Sequence, residues 1–177
     1  CGELRALDLS NMKMGKVKSM RRMVAYCSSL QTLNVSGWDT SNVTDMSEAF
    51  AGCRMLEELD VSSFDTARVE NFFGTFSGLE FVTALDVGHF DTSAATNMDS
   101  MFDGNFSLTT LDVSGFNTAH VQNLNRMFTN CQNLTELDVS GFDTSNVTTM
   151  DNMFEGCNML AELNLSGWNI EKVESMR

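Results

Sequence analysis

The chain has 177 residues, 42% of them hydrophobic and 20% charged, with no proline and a formal net charge of −13. That length and apolar content suit one sizeable core and exclude a disordered tail in spite of the charge. No apolar run approaches the ~18 residues of a membrane span, and a pI of about 4.3 speaks against nucleic acid as a partner.

Along the chain one period governs every apolar position. Leu4, Leu30, Leu56, Val82, Leu108, Leu134 and Leu160 stand 26 residues apart, and each opens a repeat. Three residues on come Leu7, Leu33, Leu59, Leu85, Leu111, Leu137 and Leu163, and two further on Leu9, Val35, Val61, Val87, Val113, Val139 and Leu165. A large side chain follows as Met12, Trp38, Phe64, Phe90, Phe116, Phe142 and Trp168. Six full repeats and a partial one from Leu160 make a single domain over 1–177, with three residues ahead of the first. Such a frame is expected of a fragment of a longer chain that lacks both end caps. The first residues carry no basic start followed by an apolar stretch, so no secretory signal is expected among them.

Within a repeat, two periodicities alternate. Leu59, Asp60, Val61 and Ser62 alternate apolar and polar, the mark of a strand. Val147, Met150, Phe154 and Cys157 fall on one face of a helix. Asp143, Thr144 and Ser145 precede it as caps, and Gly156 closes it, with Gly52, Gly78 and Gly104 in the same place. Each repeat is thus expected to run strand, tight turn, short helix, turn. One such unit cannot bury its own apolar face, so the expected fold is an α/β repeat solenoid of strand plus short helix.

The pattern L-x-x-L-x-[LV] followed by a helix resembles the leucine-rich repeats, which implies a right-handed coil. The fuller form over residues 134–157, LTELDVSGFDTSNVTTMDNMFEGC, resembles the BspA-type surface repeats and the mycoplasma lipoprotein-associated repeat. One departure from ordinary leucine-rich repeats is that Phe or Trp stands where an Asn ladder is usual. The turn is then held by Asp39, Asp65, Asp91 and Asp143 with the Thr that follows each. The resemblance implies cell-surface proteins used in adhesion and partner binding, without catalysis.

The outward strand column carries Asp8, Asp60, Asp86, Asp112 and Asp138, with Asn34 and Asn164 replacing Asp, beside Ser10, Ser36, Ser62, Ser114, Ser140 and Ser166. Carboxylates about 4.8 Å apart repel unless something offsets them. Three readings stay open: bonds from the neighbouring Ser hydroxyls, a cationic or protein ligand, or calcium. The last is weakened because no Asp-x-Asp-x-Asp-Gly loop occurs. The expected partner surface on this concave face is Asp60, Asp86, Asp112 and Asp138 with Glu57, Glu58, Thr83, Thr109, Thr110, Thr135 and Glu136. The Leu-Asp-Val tripeptides resemble an integrin-binding motif, but both apolar members are expected to point inward.

Charge is uneven. Arg5, Lys13, Lys16, Lys18, Arg21 and Arg22 are six of the eleven basic residues and give residues 1–29 a net +4. Lys13, Lys16, Lys18, Arg21 and Arg22 read either as a solvated face or as a docking patch for an acidic partner. Cys1, Cys27, Cys53, Cys131 and Cys157 share one column, where Leu79 also stands. A reduced packing ladder is expected there, neither disulfides nor zinc. Cys1 also suggests a lipidated first residue, though it fits the repeat column. The thirteen methionines are expected in the core. Six Asn-x-Ser/Thr sequons begin at Asn34, Asn42, Asn105, Asn133, Asn146 and Asn164 and only permit glycosylation. His89 and His120 fall at different repeat positions, so no repeated histidine site, metal site or cofactor is expected.

The expected function is therefore a non-catalytic interaction module, extracellular or on a cell surface, binding a protein or other macromolecule through its strand face. The alternative is a structural subunit of a larger, intracellular assembly, docked through the basic first repeat or the open ends.

Overall fold

Two backbone positions in every 26 residues decide the local structure. In the computed structural model, which describes residues 1–177, Arg22, Glu48, Gly74, Ser100, Arg126 and Asn152 have φ between 51° and 57°. Four residues later Tyr26, Gly52, Gly78, Gly104, Asn130 and Gly156 have φ between 58° and 75°. A right-handed helix cannot pass through a left-handed residue at every fourth position. The chain accordingly contains no helix. The spacing of Val147, Met150, Phe154 and Cys157 describes instead the inner side of a run of tight turns.

Hydrogen bonding in these turns alternates residue by residue. Ala49 and Ala51 donate backwards to the carbonyls of Met46 and Glu48 at 3.0 and 3.2 Å. The amides between them donate forward to the next turn. Met46 reaches Asn71 at 2.9 Å, Glu48 reaches Phe73 at 2.7 Å, Phe50 reaches Thr75 at 3.1 Å and Gly52 reaches Ser77 at 2.8 Å. The same four rows recur through successive turns, from the Met20 amide bonded to Asp45 to the Asn152 amide bonded to Arg177.

The expected strands shrink to two, β1 (Ala6–Asp8) and β2 (Thr32–Asn34), which pair in parallel with Asp8 opposite Asn34. Later turns add only the single pairing of Ala84 with Thr110 along this row. Like charges directly opposite weaken a strand pair. The register that sets Asp8 against the neutral Asn34 would set Asp60, Asp86, Asp112 and Asp138 against one another. The last pair, Asp138 and Asn164, also stays open, and the structure offers no charge reason for it. A second row of single parallel pairings runs unbroken from Ser19 through Asp45, Asn71, Asn97, Asn123 and Thr149 to Ser175.

The expectation of an α/β solenoid of strands and helices is therefore wrong, and the leucine-rich-repeat architecture falls with it. Of 73 backbone–backbone hydrogen bonds, 71 lie outside the strand pair. The order resides in turns that repeat with a 26-residue register.

Inside them 44 buried residues form one continuous core. Its spine is a file of rings: Phe50, Phe76, Phe102, Phe128 and Phe154 stack with centroids 5.8–5.9 Å apart. Trp38, Phe64, Phe90, Phe116 and Phe142 are buried in a second file. Met12, assigned to that file by spacing, is instead exposed, and Met14 is buried in its place. Met176, expected inside, is also exposed.

A buried threonine column ties the turns together. Thr40, Thr66, Thr92, Thr118 and Thr144 donate their hydroxyls to the carbonyls of Asp65, Asp91, Asn117, Asp143 and Asn169 at 2.9–3.1 Å. The amides of Asp65, Asn117 and Asn169 donate back to the threonine oxygens at 2.8 Å. Beside each threonine an Asx turn forms, as when Asp39, Asp65, Asp91 and Asp143 accept the amides of Ser41, Ala67, Ser93 and Ser145. The expectation that Asp and Thr hold this turn is met.

Candidate functional site

The outward column is built from the same Asx device. Asp8, Asp60, Asp112 and Asp138 each accept, on Oδ1, the amide of the serine two residues on, at 2.9–3.0 Å. The hydroxyls of Ser10, Ser114 and Ser140 add a bond at 2.7 Å. Asn34 and Asn164 make the same turn with Ser36 and Ser166. One oxygen of each carboxylate is thus engaged locally while the side chain stays exposed. The bonds from Ser62, Ser114 and Ser140 hold the carboxyls of Asp60, Asp112 and Asp138 below the usual range. At Asp8 the Ser10 amide does so first and its hydroxyl second. The face therefore keeps its charge into mild acid.

The remaining candidates stand where the period places them. Glu57, Glu58, Thr83, Thr109, Thr110, Thr135 and Glu136 are all exposed. Thr109, Thr110, Asp112, Thr135, Glu136 and Asp138 meet around one shallow groove of about 270 Å³. Glu57, Glu58, Asp60, Asp86 and Thr83 lie outside that groove, on the earlier turns of the same row. The two apolar members of each Leu-Asp-Val tripeptide are buried, as Leu59 and Val61 show.

Asp86 departs from the rule. Gly88 stands where the other turns have serine, and the polar neighbour of Asp86 is His89, whose Nδ1 lies 4.0 Å from Oδ1. The sequence signal was present: His89 occupies a column otherwise held by Gly37, Ser63, Gly115, Gly141 and Gly167. Treating the histidines only as a search for a repeated site passed over it.

The basic first turn does not act as one patch. Arg22 Nε sits 2.6 Å from Glu48 Oε2, and the Tyr26 hydroxyl donates to Glu48 Oε1 at 2.7 Å. The Glu48 side chain is only 9% exposed. The Arg22 bond, with the Tyr26 bond after it, depresses the Glu48 carboxyl against the opposing effect of burial. Arg22 is thus committed within the protein. Lys13 and Lys16 line a separate open depression of about 890 Å³ with Asp39. Lys18 and Arg21 are exposed.

The cysteines pack as thiols. Cys53, Cys131 and Cys157 donate to the carbonyls of Val24, Phe102 and Phe128 at 3.1–3.3 Å. Where Asn105 takes the column, its buried Oδ1 accepts the Leu79 amide at 2.9 Å, which closes that sequon to modification.

Two overlapping stretches, residues 2–86 and 74–177, match the family model described as "Mycoplasma protein of unknown function, DUF285". No curated protein matches the chain.

Proposed function

The chain belongs to the Mycoplasma family of unknown function DUF285, and from that premise we propose a non-catalytic, cell-surface module that binds a basic segment of another protein. One observation carries the reading. Successive turns bring Glu57, Glu58, Asp60, Asp86, Asp112, Glu136 and Asp138 to one exposed row, on which Arg5 is the only lysine or arginine in the same columns. A row of one sign attracts the opposite sign and steers its approach. The resemblance of residues 134–157 to BspA-type surface repeats supports the cell-surface setting.

The test is direct because Asn34 and Asn164 make the same Asx turn as the aspartates. Replacing Asp60, Asp86, Asp112 and Asp138 together by Asn removes charge and keeps the cap. Binding to a fluorescent peptide rich in lysine and arginine should fall at least tenfold with Tm preserved. Unchanged binding rejects the face. Biotinylation of intact source cells should label these turns. Labelling only after lysis would instead favour the assembly subunit, which the +4 charge of residues 1–29 also favours.

A further inference from the structure

The acidic row repeats one device in every turn but one, and that turn is central. Asp8, Asp60, Asp112 and Asp138 spend Oδ1 on a serine amide. Asp86 has Gly88 in the serine position, and its side chain is 85% exposed. Both of its oxygens face outward, uncommitted to an Asx turn. His89 stands beside it, with Nδ1 4.0 Å from Oδ1 and the side chain 34% exposed. The imidazole is held edge-on against the buried Phe90, centroids 5.0 Å apart at 87°.

The charged groups facing this imidazole are all carboxylates. Asp86 lies on its own turn. Asp60, on the turn before, feels His89 directly. Asp112, on the turn after, leans into the space left by Gly88: its Oδ2 is 3.3 Å from where a Cβ would stand. The same column carries Ser63 before and Gly115 after, neither charged.

We infer, resting on the reading of this row as a site for basic segments, that Asp86 is the carboxylate that anchors the ligand's cation and that His89 competes for it as pH falls. A carboxylate with both oxygens free accepts a guanidinium fork or an ammonium fully, whereas a capped one offers a single oxygen. Imidazole is the side chain whose ordinary titration falls between pH 5 and 8. Charged, His89 supplies from within the protein the cation that the ligand would bring. Neutral, it leaves Asp86 open. The row is thus strongest at neutral pH and loosens in mild acid, while its other carboxylates remain ionised.

The experiment uses fluorescence anisotropy with a lysine- and arginine-rich peptide, at pH 7.5 and 5.5 and constant ionic strength. One unit charge at this separation near a surface predicts a loss of about fivefold for the native chain on going to pH 5.5. His89→Gln should bind equally at both values, and Asp86→Asn should lose more affinity at pH 7.5 than Asp138→Asn. If His89→Gln keeps the native pH dependence, or Asp86→Asn is no worse than Asp138→Asn, the inference is overturned while the acidic row stands. If the native chain binds the peptide at neither pH, the acidic row itself is rejected.

Discussion

One hydroxyl serves both backbone groups of a residue in the next turn. Thr92 Oγ1 donates to the Asn117 carbonyl at 3.0 Å and accepts the Asn117 amide at 2.8 Å. The side chain is 1% exposed, so water cannot replace it. Thr92→Val keeps the shape and strands a buried amide and carbonyl, at a cost of about 1–3 kcal/mol. Urea unfolding should show that loss with an unchanged m-value. A neutral result would mean the turn closes by other bonds.

Acid should unfold the first turns through Glu48. Its carboxyl is depressed from the ordinary 4.5 by Arg22 and Tyr26. A group lowered on folding contributes its stability above its unfolded pKa and loses it as pH falls through the folded one. Tm should therefore hold above about pH 5 and fall below about pH 4. Glu48→Gln should start lower at neutral pH and converge with the native curve in acid. Parallel curves would show that other carboxylates dominate.

Thiol chemistry should divide the cysteines. Burial pushes Cys53 up to about 11 and raises Cys131 and Cys157 as well, while Cys1 is exposed. Only the thiolate attacks an alkylating reagent. With iodoacetamide at pH 8, mass spectrometry should find Cys1 modified within minutes and the other three only on unfolding. Early labelling of Cys53 would show that its turn opens readily.

Amide exchange should report the two kinds of row. The forward-donating amides of Met46, Glu48, Phe50 and Gly52 are bonded to the next turn, whereas those of Glu57, Glu58, Thr83, Thr135 and Glu136 donate to no backbone carbonyl. The first set should exchange far more slowly. Equal rates would mean that the acidic row is bonded as a regular sheet in solution.

How much of this was legible in the sequence depends on side chain against backbone. The 26-residue register, the inward Leu and Val columns, the Asp–Thr turn and the outward carboxylates could be read because each is a statement about which side chains face water. The helix could not. The positions that forbid it carry Arg22, Glu48, Ser100, Arg126 and Asn152, and only Gly74 among them hints at positive φ. The apolar spacing of a tight-turn ladder also coincides with that of a helix over ten residues, so periodicity alone cannot separate them. Arg22 looked like a free cation because its partner, Glu48, lies 26 residues away in a column with no common chemistry.

The forward rows have a further property as a set. The peptide group that accepts from Met20 at Asp45 donates through Met46 to Asn71, and so on to Ser175. Each row is a head-to-tail file of amide dipoles lying along the stack, and four files run in the same sense. In an α-helix such alignment makes the amino end positive. Here the amides point towards later residues, so the polarity is reversed and the first turn sits at the negative pole. Lys18, Arg21 and Arg22 stand there, with Arg21 and Arg22 within the segment that starts the files. The cations that looked like a dock for someone else's acid are the counter-charge to the protein's own backbone.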